Sequence, residues 1–166
     1  MTDAPGSSSA DAAEEEPVVI LSEAEADSVA DIVVAYLRAM PTERQGPYAD
    51  LLEQVSAGRV SGATIEILEQ VCSVSLETGQ ARRIGTAEVE GHVAAVFRRT
   101  PEGSARLGQL RDINAALERL RGKELTNAQI ASQRPGRYTL TLGVPGFAIG
   151  LVITPTGVEL SSLSTG

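Results

Sequence analysis

Few residues in this 166-residue chain have the chemistry of a catalytic or metal-binding site. His92 is the single histidine, so arrangements that need two imidazoles are excluded. Glu88 lies four residues earlier, and a helix would place both side chains on one face. Because a metal ion needs more ligands than this pair supplies, we interpret it as structural and keep a functional role for His92 as the alternative.

Cys72 is the only cysteine, and it lies among apolar residues at helical spacing. A reactive thiolate needs an accessible, electropositive setting that this segment does not offer, so the sequence predicts a buried cysteine. One cysteine cannot form a disulfide within the chain and suits a reducing compartment.

Arginine pairs are the last candidates. Arg82 and Arg83 precede a predicted helix, whose N-terminal end carries a partial positive charge and could help to hold an anion. Exposed pairs of this kind also occur without a ligand, so both interpretations stay open. Arg98 and Arg99 form a second pair.

Motifs with a known mechanism are absent from the sequence. It contains no nucleophile elbow, phosphate-binding glycine loop, dinucleotide fingerprint or zinc-binding helix motif. We therefore predict no catalytic, cofactor-binding or metal-binding residues and expect no cofactor. A non-enzymatic role is the leading hypothesis, and an enzyme remains the alternative.

The net charge of −8 is concentrated at the N-terminus. Residues 1–31 contain nine acids and no base, whereas residues 82–137 carry 11 bases against 6 acids. This mild basic excess lacks the dense stripe and interleaved aromatic residues of a nucleic-acid binder, so we argue against that function. Thirteen of the 14 bases are arginine, which we attribute to a bacterial-like genome composition.

Composition divides the chain into a tail and one folded domain. Residues 1–16 are predicted to be a disordered acidic tail, because they have too little apolar surface to offset the entropy of ordering. The tail is either a solubilising leader or a segment that docks on a basic partner. Residues 17–166 are predicted to be a single α+β domain. The acidic N-terminus lacks a secretory signal and no apolar run could span a membrane, so we expect a cytoplasmic protein.

Residues 22–121 have the periodicity of about five amphipathic helices. Ser22 and Glu25 form a capping box for the first helix, and Thr100-Pro101 predicts the start of the last. Ser61 is predicted to cap the third helix. The apolar run from Pro17 to Leu21 is either an added edge strand or a hydrophobic staple.

Residues 124–164 predict a four-stranded antiparallel meander packed on the helices. Three prolines ten residues apart, each followed closely by a glycine, mark its turns, and apolar residues alternate with small polar ones between them. These prolines are Pro135, Pro145 and Pro155.

The two faces of this sheet suggest different roles. One face is apolar and suits a core, whereas the other is small and uncharged and suits self-association or a protein partner. A covering of this second face by the chain's own helices is the alternative. The candidate interaction residues are Thr139, Thr141, Ala148, Gly150 and Val152.

A second hypothesis is a small-molecule binding domain or enzyme. A long helix beside a curved meander can enclose an apolar pocket. The residues that would line this pocket are Tyr138, Leu140, Phe147 and Ile149. They could equally fill a packed core, so the sequence leaves the choice between pocket and core open.

Overall fold

A computed structural model describes residues 16–155 and 157–165, without the side chain of residue 133. The predicted acidic tail, residues 1–16, lies outside the described residues except for Glu16.

The described residues form an α+β fold of six α-helices, one 3₁₀ turn and six β-strands, with the helices before the sheet as predicted. The elements are, in chain order, β1 (Val18–Ile20), α1 (Glu23–Ala39), the 3₁₀ turn (Thr42–Arg44), α2 (Gly46–Ser56), β2 (Arg59–Ser61), α3 (Thr64–Glu77), α4 (Gln80–Ile84), α5 (Ala87–Arg99), α6 (Pro101–Glu118), β3 (Asn127–Arg134), β4 (Arg137–Val144), β5 (Phe147–Thr154) and β6 (Gly157–Thr165).

The predicted capping box starts helix α1. The Ser22 hydroxyl accepts a hydrogen bond from the Glu25 amide, and the Glu25 carboxylate accepts one from the Ser22 amide at 2.9 Å. Two of the backbone donors at the start of the helix are thereby satisfied. Val29, Ile32 and Val33 lie on the buried face.

The segment around Ser61 corrects one prediction. Ser61 ends strand β2 opposite Val18 of β1, and α3 begins only at Thr64, so Ser61 is not its cap. The Ser61 amide donates instead to the side-chain oxygen of Gln54. The Pro17–Leu21 run supplies β1, which confirms the edge-strand alternative.

The first five helices and the β1–β2 ribbon form one hydrophobic core, the helical body. Its side chains include Ile32, Leu51 and Leu68, all inaccessible to solvent. Large aliphatic side chains of this kind stabilise a fold by roughly 1.5–3 kcal/mol each when fully buried.

A tight corner joins α5 to α6 without a linker. The Thr100 hydroxyl donates to the Phe97 carbonyl and accepts from the Gly103 amide, while Thr100 itself is fully buried. A Cβ at position 103 would overlap the Phe97 carbonyl oxygen, so only glycine fits. The Glu69 carboxylate of α3 also accepts from the Glu102 amide at 2.7 Å.

The C-terminal strands form the predicted meander, paired antiparallel in the order β3-β4-β5-β6. Gly146, at φ +76°, occupies the third position of a Pro145-Gly146 turn, which requires a positive φ. Helix α6 packs on the apolar face of the sheet, where Ile113 and Ala116 join Phe147 and Ile149 in a second core. We call α6 and the sheet together the sheet unit.

No helix in the described part of the chain combines the length and hydropathy needed to cross a membrane.

Candidate interaction surface

The structure gives His92 a partner that sequence reasoning missed. Its Nδ1 lies 2.9 Å from the hydroxyl oxygen of Ser28 on α1, 64 residues earlier in the chain. Ser28 is 5% exposed, and its hydroxyl also lies 2.7 Å from the Ala24 carbonyl. The pair therefore joins α5 to α1.

The direction of these hydrogen bonds limits what the pair can do. A carbonyl oxygen can only accept, so the Ser28 proton points to Ala24 and the Ser28 oxygen accepts from Nδ1–H of His92. A catalytic serine instead donates its proton to the histidine. This geometry orients the imidazole and packs the helices together, but it does not activate a nucleophile.

Cys72 is fully buried in the helical body, as predicted. Burial raises the pKa of its thiol to about 12, and the nearby Glu69 carboxylate contributes in the same direction. The thiolate is therefore negligibly populated near neutral pH.

Arg82 and Arg83 lie in the last turn of the short helix α4. The Arg83 guanidinium donates to the Thr78 carbonyl at 3.1 Å, whereas Arg82 lies 4.0 Å from the Glu90 carboxylate. Glu88 and Glu90 occupy the first turn of α5, so carboxylates of the chain itself already face that positive helix end.

The strand register brings the five candidate interaction residues onto one face of the sheet. Thr139 lies opposite Val152 and Thr141 opposite Gly150, while Ala148 follows two residues before Gly150 on the same side. Val152 is 6% exposed and Gly150 is buried, whereas the other three are half-buried.

The same register extends this face across all four strands. We call the whole surface the outer face. Its further members are Asn127, Gln129, Ala131, Gly143, Ser162 and Ser164.

A bulge in β6 shapes the centre of the outer face. Gly150 pairs with Ser162 and Leu151 with Leu160, so Ser161 is an extra residue. A Cβ on Gly150 would overlap the Ser162 hydroxyl and lie 2.9 Å from that of Ser161. The serine hydroxyls therefore fill the space above Gly150.

Charge on the outer face is confined to one end. Arg137 begins β4 and pairs with Arg134 at the end of β3, and Glu159 of β6 lies opposite Val152. The remaining outer-face residues are uncharged. Helix α6 packs on the opposite face of the sheet, through Ile113 and Ala116.

The residues proposed to line an apolar pocket lie partly in the second core and partly on the surface. Phe147 and Ile149 are 8% and 1% exposed and pack against α6 in the second core, whereas Tyr138 is 42% exposed. A cleft of about 350 Å³ lies instead between the start of α6 and the β5–β6 turn. The residues that line it include the charged Glu102, Arg106 and Glu159.

Two ionic links anchor the helices beside these surfaces. Arg99 of α5 lies 2.7 Å from the Glu25 carboxylate of α1. Burial of Glu25 raises its pKa, but hydrogen bonds from Arg99 and Ser22 outweigh this effect and hold the pKa below its usual value. Arg106 of α6 lies 3.7 Å from the Glu77 carboxylate of α3, and it also pairs with Glu102 in its own helix and stacks over Phe97. The i,i+4 spacing of Glu102 and Arg106 is visible in the sequence, whereas the Glu25–Arg99 pair has no sequence signal.

Within the described residues, no group of three or more His, Cys, Asp or Glu side chains is arranged to hold a metal ion. No protein-family model matches the chain, and neither a curated protein nor a solved structure shows significant similarity to it.

Proposed function

We propose that this protein is a non-enzymatic interaction or assembly protein that binds a protein partner, or a second copy of itself, through the outer face. The observation that carries the proposal is the uncharged centre of a four-stranded sheet whose helix, α6, lies on the other side. Exposed charges are the usual deterrent to sheet association, and this surface has them at one end only.

The small residues of the outer face suit close approach of a partner. Two sheets pack about 10 Å apart, and short side chains such as alanine, serine and threonine leave room for side chains from an opposing layer. At the centre the Ser161 and Ser162 hydroxyls cover Gly150, so a partner's side chain would pack on Thr141 and these hydroxyls.

The size of the face indicates the strength of the interaction. Four strands about 4.8 Å apart and about six residues long give a plane of roughly 19 by 20 Å. This plane is smaller than the roughly 800 Å² that each partner contributes to a standard interface. We therefore propose a reversible interaction, strengthened by contacts beyond the sheet centre.

A buried charge at the centre of the face tests the proposal. Thr141→Lys places an ammonium group where a partner would have to desolvate it, so binding should weaken by at least tenfold. Gln109→Lys on exposed α6 adds the same charge away from the face and serves as the control. Circular dichroism and thermal unfolding establish that both variants remain folded.

Binding is read by a photo-crosslinking amino acid at position 141 of the full chain, with position 109 as the control. The proposal predicts covalent adducts from position 141, either to a second copy or to another protein. Because position 141 is itself changed in Thr141→Lys, the crosslinking amino acid is placed at position 148 of the outer face for that variant. Adducts from position 148 should form with Thr141 and be lost with Thr141→Lys. Adducts at equal yield from position 109, or none from position 141, would overturn it.

A further inference from the structure

Strand β3 is an open edge of the meander. It pairs with β4 alone, and each of its side chains that the structure describes is exposed. An open edge presents backbone N–H and C=O groups that another strand can bind.

The turn geometry identifies the β3 residues whose backbone groups point outward. In the Pro145-Gly146 turn, Val144 C=O accepts from Phe147 N–H, so these two residues form a hydrogen-bonded pair. Hydrogen-bonded pairs alternate along an antiparallel ladder, so the even-numbered β4 residues bond to β5 and the odd-numbered ones to β3.

On β3, the partners of those odd-numbered residues are Asn127, Gln129 and Ala131. The backbone groups of the intervening Ala128, Ile130 and Ser132 therefore face the open edge. They offer three donors and three acceptors in a regular row, before the bulge between Ser132 and Arg134.

The β3 edge lacks the features that usually prevent strand pairing. From Leu125 to Gln133 it has no charge and no proline, and Ile130 at its centre is 64% exposed. The opposite edge is protected, since β6 carries Glu159 and an extra residue, Ser161, that interrupts its regular pairing.

We propose that β3 pairs antiparallel with β3 of a second copy, with the twofold axis at Ile130, to form a continuous eight-stranded sheet. In this register Ile130 forms a hydrogen-bonded pair with its own copy, and Ala128 pairs with Ser132. The outward row is thereby complementary to itself, so all six groups find partners. Both α6 helices then lie on the same face of the joined sheet.

The charges that flank the neutral stretch favour a second copy as the occupant. Glu124 precedes β3 and Arg134 ends it. In the proposed register Arg134 of one strand lies opposite Thr126 of the other, about two residues from Glu124, so opposite charges are close to each other at both ends. Lys123 lies beside Glu124 and weakens this attraction. The main contributions to the stability of the dimer therefore come from backbone pairing and from contact between the two Ile130 side chains.

This edge is distinct from the outer face, so the inference does not rest on the proposed function. Strand pairing uses backbone groups in the plane of the sheet, whereas a partner on the outer face stacks on the side chains above it. A charge at Thr141 should therefore leave β3 pairing intact.

Cysteine trapping in the full chain tests the register. In a hydrogen-bonded pair the Cα atoms lie about 5.5 Å apart and the Cβ atoms about as far, which exceeds the roughly 3.5–4.5 Å between the Cβ atoms of a disulfide but is within reach of a short bifunctional thiol crosslinker. Ile130→Cys should therefore crosslink to its own copy with such a reagent. Cys72 is fully buried and does not compete.

Ser132→Cys is the matched control, because it lies on the same strand and points to the same side. In the proposed register its copy is four residues away along the strand, roughly 14 Å, which is too far for the short crosslinker to span. We expect a product of twice 17.3 kDa from Ile130→Cys and its loss in Ser132→Cys.

Three outcomes would overturn the inference. Equal crosslinking of both variants would indicate random collision, and crosslinking of Ser132→Cys alone would require another register. If light scattering shows a dimer and neither cysteine variant crosslinks at the same protein concentration, self-association takes place through another surface.

Discussion

The helical body and the sheet unit differ in how completely they bury their own apolar surface. Fifteen described residues form the buried core of the helical body, whereas six form that of the sheet unit. Leu51 and Leu68 in the former are inaccessible to solvent, but Ile130 and Leu163 in the latter are 64% and 47% exposed.

This difference supports different proposed roles for the two regions. A core of interlocked side chains stabilises a fold but offers little for a partner to bury. A sheet with one helix on one face and an open edge retains both apolar and backbone groups for association. We therefore propose that the helical body serves as a scaffold and that binding takes place on the sheet unit.

Truncation of one leucine in each region should separate them most clearly. Leu68→Ala leaves a cavity in the helical body and should lower the free energy of unfolding by about 2–5 kcal/mol. Leu163→Ala on exposed β6 should cost less than about 1 kcal/mol. Urea unfolding of both variants measures the difference, and equal losses would contradict the comparison.

The corner between the two regions should tolerate no side chain. Gly103→Ala forces a methyl group into the Phe97 carbonyl and should destabilise the chain by about 3 kcal/mol. Gly108→Ala, five residues on in α6, meets no atom within 4 Å and should instead stabilise by about 0.5–1 kcal/mol. If Gly103→Ala leaves the thermal unfolding transition unchanged, the corner is not tightly packed.

The bond between Ser28 and His92 should contribute more than a serine that only bonds within its helix. Ser28→Ala leaves the half-buried His92 without the acceptor of its Nδ1–H and should cost about 1–2 kcal/mol. Ser56 makes a similar bond to the carbonyl four residues earlier, but has no histidine partner, so Ser56→Ala should change stability by less than about 0.5 kcal/mol. If Ser28→Ala and Ser56→Ala lower the free energy of unfolding equally in chemical denaturation, the hydrogen bond to His92 does not contribute to stability.

The Glu25 carboxylate should make the helical body sensitive to acid. Its folded pKa is below the usual 4.5, so its ionised form stabilises the fold above about pH 4.5, and this contribution disappears as the pH falls through the lowered folded value. Glu25→Gln should cost about 1 kcal/mol at pH 7 and progressively less on acidification. A constant difference between pH 7 and pH 3 in unfolding experiments would contradict this assignment.

Local signals explain what could be predicted from the sequence. The Ser22–Glu25 capping box, the Thr100-Pro101 start of α6 and the Pro145-Gly146 turn each depend on a few adjacent residues, and all three appear as expected. The members of the outer face follow from period-two alternation alone.

Long-range contacts explain what could not be predicted. Strand β2 exists because it pairs with β1 about 40 residues earlier, and its sequence suggested a helix cap instead. The Ser28–His92 bond and the separation into two cores likewise depend on how the helices pack. Helix α4, Gln80–Ile84, was missed because a single turn carries too little periodicity.

Hydrogen–deuterium exchange at two protein concentrations tests most directly whether association belongs to the sheet unit. On raising the concentration, the account predicts slower exchange at the outward amides of Ala128, Ile130 and Ser132, with no change in α1 and α3. Protection that appears in the helices instead, or an exchange pattern that is independent of concentration throughout the chain, would contradict it.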